Sequence, residues 1–245
     1  MRSLQRRRLL SGVLLAGLTF AMPVAHASAV QMETCKTATT LALNLGLMRG
    51  HLMVAAELFE AGHYELAQRH SKHPAEEVYQ ELLPALARFE LPEFASELSA
   101  FAEVLAEGEE GRKPFRDRYA LLMQTMDILE AQLPLQTQQQ NSVAFELVKQ
   151  AAYEYSVGVA ADGRVTDIQE YQDAYGFVTV AKAKVAGGVT AETEKDGAEL
   201  AERFSLAMSL WPTLMPAAPL QVEPERFGIL INAMTAAGMA ETACD

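Results

Sequence analysis

The stretch TLALNLGLMRGHLMVAAELFEAG, residues 40–62, decides the fold class. Leu41, Leu45, Met48, Leu52, Ala55 and Phe59 recur at alternating steps of four and three, so they stack along one side of an amphipathic helix. Gly62 supplies its stop. The same period continues outward. A short helical piece follows at 64–69, and His73-Pro74-Ala75-Glu76 reads as a new start, with proline at the first position and acid in the first turn. That helix carries Tyr79, Leu82, Leu83 and Leu86, with a kink expected at Pro84. Pro92 opens another, with Phe94, Leu98, Phe101 and Leu105 on its inner face, and 115–133 forms a further long helix after a charged turn at 107–112.

LPLQTQQQNS, residues 133–142, is the one low-complexity stretch and reads as a connection between halves. Helices at 143–160, 166–185, 191–210 and 224–240 follow it. Thr166 with Gln169 three residues on is a capping-box pattern, which predicts that the second of these begins at Thr166. No run alternates like strands. The expected fold is all-α: a helical bundle of about eight helices, with an N-terminal half at 30–134, a linker at 135–142 and a C-terminal half at 143–245.

Residues 1–29 read as a secretory signal peptide: a basic start at Arg2, Arg6, Arg7 and Arg8, an apolar core from Leu9, and small residues at Ala25, Ala27 and Ala29. Gln5-Arg6-Arg7-Arg8-Leu9-Leu10 also fits a twin-arginine signal, which leaves the Sec and twin-arginine routes both open. No later segment reaches the roughly 18 unbroken apolar residues of a membrane helix, so no membrane insertion is expected after leader cleavage. The expected location is periplasmic. Loss of the leader, with four arginines and no acid, moves the formal charge from −12 to −16. So acidic a surface repels nucleic acid and gathers cations. Cys35 and Cys244 are the two cysteines, and in an oxidising compartment they are expected to pair and tie the chain ends together. In the chain-entropy picture so long a loop adds roughly 4–5 kcal/mol.

Imidazoles and carboxylates carry the chemical expectations. GHYELAQRHSKHPAEE, residues 62–77, holds His63, His70 and His73, with Glu76 and Glu77 three and four residues past His73. On one continuous helix such spacing would aim several ligands at one point. Pro74 interrupts it, because the residue before a proline avoids the α region. A polar helix boundary explains the same residues. His51 lies at the edge of the apolar stripe of its helix, where a partly buried histidine bonded to a backbone carbonyl is one reading and a ligand the other. On 143–160, Glu154 shares a face with Val143, Leu147, Ala151 and Gly158; on 166–185, Glu170 sits in the stripe of Ala174, Phe177, Ala181 and Val185, with Asp173 beside it. Buried carboxylates need a cation, an arginine, a hydrogen-bond partner or one another. Helical bundles build metal sites from such inward acids. A hydrogen bond to Tyr155, Tyr171 or Tyr175 would serve equally.

EYSVGVAADGRVTDIQEYQDAYGF, residues 154–177, resembles the helix–turn–helix element in the periplasmic part of bacterial iron-permease-type proteins. Glu154-Tyr155, Asp162-Gly163-Arg164-Val165, Glu170-Tyr171-Gln172-Asp173 and Phe177 carry the resemblance in order. The permease's membrane helices and R-E-x-x-E iron motifs are absent from this sequence. The resemblance implies a periplasmic relative handling iron or another divalent cation beside a membrane transporter or another periplasmic protein.

The expected function is therefore metal binding without catalysis. The candidate ligands are His51, His63, His70, His73, Glu154, Glu170 and Asp173, and the candidate cargo is iron, or otherwise zinc or another divalent ion. Eleven methionines raise copper(I), but Met48, Met53, Met123 and Met126 fall in core-like patterns. The alternative is an interaction or scaffold module that binds no metal. A hydrolase built on the histidines is a third and more distant reading, since no nucleophile elbow, H-E-x-x-H pair or phosphate loop is present.

Overall fold

The computed structural model describes residues 24–73, 78–188, 194–220, 225–240 and 244. Among the described residues the chain forms nine α-helices: α1 (Val24–Glu60), α2 (Tyr64–His73), α3 (Tyr79–Arg88), α4 (Ala95–Ala106), α5 (Arg112–Gln132), α6 (Thr137–Gly158), α7 (Ile168–Gly188), α8 (Glu194–Met208) and α9 (Glu225–Ala236). An isolated bridge between Val159 and Val165 is the extended pairing found among them. The all-α bundle expected from the sequence is what the chain adopts. No helix among the described residues is long and apolar enough to cross a membrane. Most of the expected leader, residues 1–23, lies outside the described residues, as do Pro74, Glu76 and Glu77 of the expected helix start.

Helix α1 is the central element. The sequence shows one apolar stripe, but the structure buries more of its circumference: Ala42, Val54, Ala56 and Leu58 join Leu41, Leu45, Met48, Leu52, Ala55 and Phe59 in the core. It does so because α2, α3, α5, α6 and α7 all pack on it. Gly62, at φ 87°, turns the chain out of α1 and into α2. Helix α2 runs on to His73, past the expected end at residue 69; the expected helix start at 73–76 lies mostly outside the described residues, and α3 is described from Tyr79. Pro84 lies inside α3, where a kink was expected.

Two other boundaries differ from the sequence expectation. Most of the expected linker at 135–142 is helix: α6 begins at Thr137, and Gln139 and Ser142 are buried. The Gln139 side chain accepts from the Gln136 backbone N–H at 2.7 Å, so glutamines that read as low complexity do the work of a cap. At the start of α7, Asp167 rather than Thr166 caps the helix. Its Oδ1 accepts from the backbone N–H of Gln169 at 3.0 Å and of Glu170 at 3.5 Å. The Thr166 hydroxyl turns instead to the Gly158 carbonyl, at 3.3 Å.

Buried residues of both halves belong to one apolar cluster. Cys35 in α1 is disulfide-bonded to Cys244, as expected, across a sequence separation of 209. Near the middle of α1, Arg49 reaches Asp127 at 2.7 Å and Glu130 at 3.4 Å on α5, and Glu130 also takes Lys184 of α7 at 2.6 Å. This partly buried network ties three helices in register.

Immediately beyond Arg49, α1 and α7 meet backbone to backbone. A Cβ on Gly176 would lie 2.6 Å from the Gly50 carbonyl oxygen, and one on Gly50 would lie 2.6 Å from the Phe177 ring. Only glycine at both positions allows the approach. Gly176→Ala is expected to lower the unfolding free energy by about 1–3 kcal/mol through overpacking, read from urea denaturation. Gly187→Ala, where nothing lies within 4 Å of the added Cβ, should leave it unchanged or slightly raised.

Candidate metal centre

Capped by Asp167, α7 places Glu170 in its first turn and Gln172 and Asp173 in the next residues. The helix is covered on two sides, by α6 and by α1. Its sequence stripe through Ala174, Phe177 and Ala181 marks one buried face; Asp173 and Val180, with Gly176 between them, mark a second that meets α1. Consequently Asp173 is the deeper carboxylate, buried with 4% of its side chain exposed, while Glu170 is only half-buried. Sequence periodicity ranks them the other way, because it sees the first face and not the second.

The Gly50–Gly176 contact delivers His51, the next residue of α1, onto Asp173. His51 Nδ1 stands 2.6 Å from Asp173 Oδ1, and its ring meets Phe177 edge-on at 5.0 Å. From α2, His70 brings its own Nδ1 to 2.9 Å from the same oxygen, and its ring is fully buried. The two histidine nitrogens and the carboxylate oxygen all lie within 4.8 Å of one another. His51 thus meets a side-chain carboxylate.

A further layer holds His70. Gln172, fully buried, presents Oε1 to His70 Nε2 at 2.8 Å and donates from Nε2 to the Leu214 carbonyl at 2.9 Å. The loop that supplies Leu214 hangs on α7 at the neighbouring residue: Tyr171 donates its hydroxyl to the Thr213 carbonyl, and Trp211 Nε1 donates to the Tyr171 carbonyl, each at 2.7 Å. Sequence reasoning did not select Gln172, Gly50 or Gly176. The glycine in mid-helix before His51 and the one three residues past Asp173 are the signal that could have paired these helices.

The remaining candidates go elsewhere. Glu154 and Glu170, half-buried on α6 and α7, hydrogen-bond to each other, and Gln150 donates to Glu154. They pair as facing carboxyls, without the tyrosine partner that was the other reading. His63 lies in the turn between α1 and α2, outside the His51–His70–Asp173 group, and the His73 side chain lies outside the described residues.

Electrostatics separate the two carboxylate groups. Burial by itself would push Asp173 up, but its charge interactions and hydrogen bonds with His51 and His70 outweigh that and hold it at about 2. Glu170 is pushed up to about 8, first by burial, then by its hydrogen bond with Glu154 and the negative charge of Glu154 and Asp173. Asp173 is a fixed anion, whereas Glu170 holds its proton at neutral pH.

Against known proteins, residues 132–238 match the family model described as the iron permease-associated 4-helix bundle domain. The matched segment contains α6, α7, α8 and α9, and with them Glu154, Glu170, Gln172 and Asp173. It thus corresponds to a segment of an iron-permease-type protein, in agreement with the resemblance of residues 154–177. His51 and His70, on α1 and α2, lie outside it. No curated protein and no solved structure matches the chain.

In the folded chain Glu170 keeps its proton to about pH 8, against 4.5 ordinarily, so the folded state holds the extra proton between those values. Stability should fall as pH rises across that window. In chemical denaturation at a series of pH values, Glu170→Gln is expected to flatten this decline.

Proposed function

We propose that the chain is a non-enzymatic, extracytoplasmic metal-binding protein that holds a divalent cation on His51, His70 and Asp173. The observation that carries this reading is the convergence of two imidazole nitrogens and one ionised carboxylate oxygen, all buried, from three different helices. Two histidines with one carboxylate suit ferrous iron, and zinc or manganese after it; the absence of thiols from the set disfavours copper(I). The cis ligands of an ion with bonds of about 2.0–2.2 Å sit about 3 Å apart. The 2.9 Å contact of His70 already matches that spacing, and His51, at 2.6 Å, needs to withdraw by only a fraction of an ångström.

The iron permease-associated domain supports iron as the cargo and a membrane iron transporter as the partner. The leader and the Cys35–Cys244 bond support a periplasmic location. Capture and hand-over of the ion, with no bond made or broken, is the role this combination serves. The acidic surface would draw cations toward the site. His63 remains a candidate only for such outer contacts.

A second reading draws on the same distances. Contacts of 2.6 and 2.9 Å are also hydrogen-bond lengths, so the His–Asp–His group would suit a scaffold module that uses it as a structural network. Calorimetry with ferrous iron, under anaerobic conditions, and with zinc separates the two. Metal binding predicts one equivalent bound, with affinity reduced by at least about 100-fold in His51→Ala and Asp173→Asn, beyond the usual effect of outer-shell changes. Glu109→Ala, at an exposed position, should bind as the unaltered protein does. A chain that takes up no ion and whose melting temperature ignores chelators would be the scaffold.

A further inference from the structure

We infer that Gln172 is a positioning residue of this centre: it holds a hydrogen on His70 Nε2 and so leaves Nδ1, the nitrogen facing Asp173, as the one that can take an ion. The inference builds on the metal site proposed above and names the residue that sets its ligand atom.

The hydrogen accounting leads there from the loop inward. The Leu214 carbonyl can only accept, so the end of Gln172 that lies 2.9 Å from it is the NH2 group. Oε1, an acceptor, is then the atom 2.8 Å from His70 Nε2. The ring nitrogen must bring the hydrogen to that contact. Nδ1, 2.9 Å from Asp173 Oδ1, is then the ring nitrogen that faces the carboxylate, and the seam between them is where a hydrogen or, in its place, a cation stands. His51 can donate to the same oxygen, but it cannot alter what His70 presents.

Without Gln172 the balance reverses. His70 would place its hydrogen on Nδ1, donate it to Asp173, and present no lone pair to an ion. The control thus lies outside the ligand set, in the register of the loop at Thr213 and Leu214 against Tyr171 and Gln172.

The test uses the whole chain with 15N-labelled histidine. Two-bond 1H–15N spectra of chelator-treated protein report whether His70 Nε2 carries hydrogen, and a zinc titration of the same samples reports affinity. The unaltered protein should show hydrogen on His70 Nε2. Gln172→Met, similar in length but without the acceptor, should lose it from Nε2 and bind zinc about 10–100-fold more weakly. Gln172→Glu, equal in length, keeps an acceptor for Nε2–H. It should restore both the Nε2 hydrogen and affinity to within a few-fold. A bare Nε2 in the unaltered protein, or Gln172→Met with its Nε2 hydrogen intact, overturns the inference, and the first of these holds even if Gln172→Met fails to fold. Hydrogen on Nε2 in a protein that binds no zinc or iron would uphold the role of Gln172 and remove the metal reading instead.

Discussion

A buried carboxylate gripped by two imidazoles is the interaction on which the rest of this molecule turns. Asp173 is ionised in an environment that would normally neutralise it, and it stays so because His51 and His70 reach it from two other helices. That requires α1 to approach α7 more closely than side chains permit, which Gly50 and Gly176 allow. The adjacent Arg49–Glu130–Lys184 ties prevent the helices from sliding past one another. Packing, register and site chemistry are thus one constraint seen at three levels.

The division of labour along the chain follows from the same contact. The segment matching the iron permease-associated domain supplies the carboxylate, its glutamine and the facing glutamates. The histidines come from α1 and α2, outside that segment. A carboxylate-only site would favour hard cations broadly; adding imidazole nitrogen narrows the preference toward ferrous iron and its borderline neighbours. On the metal-binding reading proposed for this chain, the N-terminal helices would therefore decide what the domain holds. The Cys35–Cys244 bond fastens the outer part of α1 to the chain's far end and so helps keep those helices seated.

Much of the fold was legible because helical periodicity is a local property. The apolar stripe of α1, the stop at Gly62 and the ends of α5 follow from residues a few positions apart. Boundaries that depended on a choice among competing caps were read less well. Thr166 and Asp167 both offer an oxygen to the first turn of α7, and only the path of the preceding turn, which draws Thr166 back to Gly158, selects the aspartate. The glutamine run that opens α6 looked structureless by composition, yet Gln139 turns back to cap the helix and is buried.

Sequence alone determined that this chain is an acidic, all-helical bundle with a cysteine pair suited to closing it, and it singled out imidazoles and carboxylates as the candidate ligands. These follow from composition and from spacing along single helices. Which of those side chains share a site was decided only by tertiary structure. His51 and His70, in the first half of the chain, stand 122 and 103 residues before Asp173 in the second. Asp173 ranked below Glu170 until α1 covered a second face of α7. A helix's own pattern reports how much of it is buried, but not which neighbour buries it, and the neighbour is what makes a centre out of three distant residues.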